Sequence, residues 1–189
     1  MKLLRIIIVA LSATTVVGAY AQTIDQNQPD AFFDMANFSQ TDLAQSFKQS
    51  ANNIDGAGIR TAPSVGAGDN LTISLYNNLP NQGGNLLASG TYMNAQAGQW
   101  VDVFWNPVNI TSGSTYYLVF TSNNNTMGIS GSIFNPYPDG ESYANPGYQG
   151  FSGYDYAFRT YHGAITPEPA PIAALGIGAV CLIRRRRSS

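Results

Sequence analysis

The stretch Thr115-Tyr-Tyr-Leu-Val-Phe-Thr121 leaves the chain little choice but a β-strand, because nearly every residue in it is β-branched or aromatic. A second stretch, Asn70 to Tyr76, alternates cleanly: Leu71, Ile73 and Leu75 fall on one face, Thr72, Ser74 and Tyr76 on the other. Gln99 to Trp105 alternates as well, with Val101, Val103 and Trp105 opposite Trp100, Asp102 and Phe104. Leu86 to Thr91 and Asp155 to Tyr161 read as further strands, and Leu43–Lys48, Ile54–Thr61 and Met127–Ile133 as weaker ones. Turn chemistry separates them, most densely in Asn77-Asn-Leu-Pro-Asn-Gln-Gly-Gly84. No convincing helical period lies between. The pattern predicts an all-β fold, an antiparallel β-sandwich or jelly roll of about eight strands. Composition agrees: 11% charged residues exclude a coiled coil, and 12% aromatics supply a core that a disordered chain lacks. The single Cys, Cys181, excludes an internal disulfide framework and a thiolate zinc cluster.

Both ends read as addresses. Residues 1–21 have the form of a cleavable signal peptide, with a signal helix expected there. Lys2 and Arg5 open it, Ile6 to Val17 forms the apolar stretch, and Ala19-Tyr20-Ala21 fits the cleavage rule, so the mature chain is expected to begin at Gln22. At the other end, a Pro-rich linker (163–170) precedes a short apolar helix (171–183) and a basic tail (184–189). The 13 residues from Pro171 to Ile183 carry no charge. As a helix they span roughly 20 Å at about 1.5 Å per residue, short of a bilayer core of about 30 Å. Arg184–Arg187 should stay on the cytoplasmic side. The reading is a short transmembrane segment that anchors the chain transiently or permanently.

The order Pro167-Glu168-Pro169, apolar stretch Ile172–Ile183, Arg184-Arg185-Arg186-Arg187 closely resembles the PEP-CTERM sorting signal of bacterial surface proteins. The resemblance covers about the last 24 residues. It implies processing near the Pro-Glu-Pro by an exosortase, a membrane-embedded cysteine transpeptidase-like enzyme. It also implies delivery to the cell envelope or an exopolysaccharide matrix. An ordinary C-terminal anchor with a basic stop is the other reading of the tail.

The body between these ends (22–162) is acidic. Lys48, Arg60 and Arg159 face ten carboxylates there, a net charge near −7. Nucleic acid is a poor partner for such a surface; divalent cations and neutral polymers suit it better. Five segments, Ala44–Phe47, Leu71–Tyr76, Leu87–Gly90, Thr111–Val119 and Tyr156–Tyr161, together resemble extracellular bacterial β-sandwich modules of the choice-of-anchor and carbohydrate-binding type. In such modules the Leu-Ala-Ser-Gly strand is a jelly-roll edge and the Gly-x-Thr-Tyr-Tyr-Leu-Val strand is central. The resemblance implies a fold and no particular ligand.

Catalytic chemistry finds few residues. A Ser-His-Asp set needs a histidine, and the only one, His162, sits at the end of the last strand. Cys181 lies in the apolar tail. Carboxylates could pair for glycoside hydrolysis, and Asp139, Glu141, Asp102 and Asp155 are the candidates, but no spacing selects two of them. No catalytic residue is assigned. Calcium could use Asp25, Asp30 and Asp155, and modules of the resembled type often hold one structural ion. Sugars dock on aromatic faces, for which Trp100, Tyr143, Tyr148 and Tyr154 are the candidates. Pro138 to Phe151, dense in Gly, Pro and Tyr, reads as a long loop that presents three aromatics. Trp100 and Trp105 point to opposite faces of one strand, so one of them should be partly exposed. Arg159 is expected to pair with an acid. The first reading is a non-enzymatic secreted or surface-sorted matrix or envelope protein with an exosortase-type enzyme as processing partner; binding of exopolysaccharide or another glycan is secondary to it. A matrix protein without a specific ligand and a small glycoside hydrolase are the alternatives.

Overall fold

The computed structural model describes residues 21–164 except Val65 and Ala67. The signal helix, the apolar helix, the basic tail and the sorting residues Pro167–Pro169 and Arg184–Arg187 lie outside the described residues. Gln22–Ala164 forms one compact unit.

The chain is almost entirely β. A four-stranded sheet has the order β1 (Ala21–Gln28), β13 (Phe158–Ala164), β4 (Asn53–Arg60), β7 (Trp100–Asn109). A six-stranded sheet has the order β11 (Gln149–Phe151), β10 (Ser142–Ala144), β3 (Leu43–Lys48), β8 (Thr115–Ser122), β5 (Asp69–Tyr76), β6 (Leu86–Ala95). A small third sheet joins β12 (Asp155–Tyr156), β9 (Gly128–Ser132) and β2 (Phe33–Asn37). Strands β2 to β13 pair antiparallel. The sandwich expected from alternation is therefore present, with β6 at an edge and β8 in the interior of its sheet. Strand β13 runs through Ala164 and so continues into the stretch read as linker.

Alternation decides which side chains meet. Leu71, Ile73 and Leu75 of β5 face inward beside Tyr116, Leu118 and Phe120 of β8 and Leu43 and Phe47 of β3. Ile54, Ala57 and Ile59 of β4, Val101 and Val103 of β7 and Phe158 of β13 meet them from the four-stranded sheet. Ala36, Met127, Ile129 and Tyr156 close one side. Each fully buried Phe or Leu contributes about 1.5–3 kcal/mol relative to exposure. Most polar core groups are paired, as burial demands; Asp55 Oδ1 and Gln99 Nε2 are exceptions. Gln45 donates to Asp155 (2.9 Å) and accepts from the Tyr156 N–H (2.8 Å), and the Thr160 hydroxyl donates to Gln49 (2.6 Å).

Two segments depart from the sequence reading. Pro138–Phe151 is not a loop throughout: β10 and β11 form a hairpin in it, and β10 pairs with β3. The Gly, Pro and Asn content sits in the turns, while the Ser46 N–H donates to the Glu141 carbonyl and the Ser142 N–H to the Tyr154 carbonyl. The polar N-terminal segment forms β1 and β2, whose backbone pairing needs no apolar alternation. Strand β4, rich in glycine, is interior. Gly56 and Gly58 lie under side chains from the flanking strands: a Cβ on Gly56 would stand 2.5 Å from the Phe104 ring, and one on Gly58 would strike the Asp102 carboxylate.

Candidate functional site

A cleft of about 470 Å³ opens between the third sheet and the β10–β11 end of the six-stranded sheet. Strand β2 supplies Phe33, Asp34 and Met35, the turn after β9 supplies Ile133, and Ala144, Phe151 and Tyr154 come from the hairpin and the turn behind it. Phe33 and Tyr154 are each 40% exposed and Phe134 is 70% exposed. The rings are arranged in pairs. Phe134 stands edge-on to Phe33 with centroids 5.8 Å apart, and Phe151 stacks on Tyr154 at 6.1 Å with planes 22° apart. Exposed aromatics gathered this way on a rigid frame are unusual, because a monomer normally hides them.

The frame beneath is fixed. Asp155 is fully buried and takes hydrogen bonds from Gln45 (2.9 Å) and the Tyr137 N–H (3.2 Å). Burial raises its carboxyl above the ordinary range, and those two hydrogen bonds offset part of the rise. Tyr156 rests on Phe120 at 6.0 Å and donates its hydroxyl to the Tyr143 carbonyl (3.1 Å). In the cleft wall Asp34 accepts from the Ser64 hydroxyl. Gln40 accepts from the Asn37 N–H at 2.9 Å, which leaves its amide N–H₂ as a donor.

The four aromatics singled out from the sequence occupy three separate places. Tyr154 lines the cleft. Tyr143 and Tyr148 pack on the outer face of the six-stranded sheet around Ala44, Leu79 and Val119, in a cluster with Tyr76 and Tyr117. Tyr143 meets Tyr117 edge-on at 5.9 Å and donates its hydroxyl to Glu141 (2.8 Å). Trp100 is on the outer face of the four-stranded sheet, where the Arg159 guanidinium lies 4.3 Å from its ring centroid. That cation covers a ring face that a sugar would need. Arg159 also pairs with Asp102 across the side-chain-free Gly58. Trp105 is half-buried and donates its indole N–H to the Ile54 carbonyl (3.2 Å).

The acids are dispersed as well. Asp25 accepts from the Ser50 N–H (2.6 Å), the Asp30 N–H donates to Gln28 (2.6 Å), and Asp155 is buried. Among the described residues no three His, Cys, Asp or Glu side chains converge, so the calcium set Asp25, Asp30 and Asp155 is not assembled. For hydrolysis, Asp102 is held by Arg159 and Asp139 by Lys48 (2.8 Å). Among the cleft's lining residues Asp34 is the one carboxylate, whereas glycoside hydrolysis ordinarily uses two. His162, half-exposed near the end of β13, lies near the buried Asp55.

Phe33, Met35 and Phe134 escaped the sequence reading. Their signal was present: Phe32-Phe33 and Ile133-Phe134 are apolar pairs set inside polar, turn-rich stretches. Comparison of the chain with family models, with curated proteins and with solved structures gives no match.

Proposed function

We propose that this chain is a secreted, surface-sorted, non-enzymatic β-sandwich protein whose body holds glycan in the aromatic cleft. The observation that carries the reading is the pair of exposed rings Phe33 and Tyr154 in the wall of a cleft of about 470 Å³, with Phe134 packed on Phe33 and the half-buried Phe151 stacked on Tyr154. Ring faces carry negative potential and attract the C–H faces of sugars, while Asn145, Ser142, Gln40 and Asp34 can take hydroxyls. The volume falls within the range of small-ligand sites, about 300–1,000 Å³. The PEP-CTERM-like tail supports delivery: the apolar segment holds the chain at the membrane until an exosortase-type enzyme cuts near Pro167-Glu168-Pro169. The product belongs in the envelope or an extracellular polysaccharide matrix, where a glycan-binding body has its ligand at hand.

Intact mass of the protein from the producing cells tests the sorting half. A released species that starts at Gln22 and ends near Pro167–Pro169 is expected. A membrane species that retains Arg184–Arg187, with no shorter form, would contradict it. Retention of the purified protein on polysaccharide extracted from the same cells tests the binding half, and free passage through that material would contradict it.

A further inference from the structure

A second hollow, about 290 Å³, lies beside the aromatic cleft, and Gln40 lines both. Its character is different. Ser39, Thr41, Asp42, Thr121 and Asn125 give it hydroxyls, an amide and a carboxylate, with Phe38 and Phe120 behind them. One hollow thus offers rings and the other offers hydrogen-bonding groups, joined at a side chain whose amide N–H₂ is available to a ligand.

The charges around this pair have one sign. The ionised groups in the two linings are the acids Asp34 and Asp42, and neither lining contains Lys or Arg. The three cations of the body are placed elsewhere: Arg60 and Arg159 are on the four-stranded sheet, and Lys48 is held by Asp139 at 2.8 Å. The body as a whole carries about seven net negative charges, three basic residues against ten acidic. A carboxylated polymer entering here meets repulsion without a compensating pair, at close range where salt screens little. An uncharged chain meets none.

From this we propose that the ligand is an uncharged, extended glycan: one segment stacks in the aromatic cleft and the next runs past Gln40 into the polar hollow. The proposal rests on the glycan reading above and adds the charge class and the minimum extent of the ligand.

Affinity electrophoresis of the purified protein tests it. Gels hold either a neutral polymer (hydroxyethylcellulose, xyloglucan, galactomannan or glycogen) or an anionic one (polygalacturonate or alginate). Retardation by at least one neutral gel and by neither anionic gel is expected. Equal or stronger retardation by an anionic gel overturns the charge assignment but leaves glycan binding standing. Absence of retardation in all six gels overturns the glycan reading and this proposal with it. Asp34→Lys places a cation in the cleft and is expected to create retardation by polygalacturonate; none would count against the electrostatic account.

Extent is read by competition with fragments of the retarding neutral polymer. Hexasaccharide is expected to compete at least tenfold better than disaccharide, and equal potency overturns the two-hollow arrangement. Thr121→Val removes a hydroxyl on exposed strand surface with little change of shape. It should weaken hexasaccharide roughly three- to tenfold, the worth of one hydrogen bond, and leave disaccharide unchanged. Equal losses for both lengths would overturn the assignment of the polar hollow.

Discussion

Asp55 and Asp69 are both buried carboxylates on interior strands, and their surroundings drive them in opposite directions. Around Asp69, burial would raise the carboxyl. The Ser122 hydroxyl (2.7 Å) and the N–H groups of Asn124 (3.1 Å), Thr126 and Asn70 (2.7 Å) outweigh it and hold the group below the ordinary carboxylate range. Its stabilisation is therefore present above an unfolded pKa of about 3.9 and lost as pH falls through the lower folded value. Asp69→Ala strands those donors and should cost about 1–3 kcal/mol at neutral pH, read from the urea midpoint. It should also loosen the 123–126 turn, and Asn125 of that turn lines the polar hollow. Asp55 is the reverse case. Burial raises its carboxyl, its own backbone N–H and His162 only partly offset this, and Oδ1 has no hydrogen-bond partner. Its contribution is full below about pH 3.9 and is lost as pH rises through the elevated folded pKa. Asp55→Asn should therefore gain urea resistance relative to the parent between pH 4 and pH 7. A difference that stays constant with pH would contradict the assignment.

At the scale of the element, the glycines of β4 decide what the four-stranded sheet can display. Because Gly56 and Gly58 have no side chains, Phe104 and Tyr161 approach to 5.0 Å between centroids and Arg159 reaches Asp102 across the strand. Gly58→Val forces a side chain into that pair and should cost about 1–3 kcal/mol, as overpacking does, with a matching fall in thermal midpoint. Strand β4 shows why some elements could be read from sequence and others could not. β5 and β7 declare themselves through alternation, and β8 through its β-branched and aromatic residues. β4 has glycines where an outer face would show polar residues, so Ile54–Thr61 reads only as a weaker strand although it is interior to its sheet. β1 is mostly polar and β2 is a five-residue strand, and their pairing lies in backbone hydrogen bonds that leave no residue signature. The short β10 and β11 pair within a segment whose composition announces only its turns.

At the scale of the whole molecule, function depends on which strands become neighbours. Tyr154 was visible as a candidate, but Phe33 and Ile133, which line the cleft with it, come from β2 and the turn after β9, far away in sequence. Local pattern cannot report such a meeting. The same long-range pairing lets β13 carry Arg159 onto the ring of Trp100. The cleft thus joins the third sheet to the β10–β11 hairpin, and β2 and that hairpin are the elements local pattern did not announce. Phe134, 70% exposed, packs on Phe33, and Tyr154, 40% exposed, stacks on Phe151, so the fold should survive the loss of these two side chains. Phe134→Ala combined with Tyr154→Ala is expected to shift stability by no more than about 0.5 kcal/mol per site, as for surface positions generally. The central claim is that these rings hold glycan, and this double variant tests it most directly. Parent and variant are applied to polysaccharide from the producing cells, and the bound fraction and urea midpoint are measured for each. The account predicts an unchanged midpoint with retention reduced at least tenfold. Equal retention of a folded variant would contradict it.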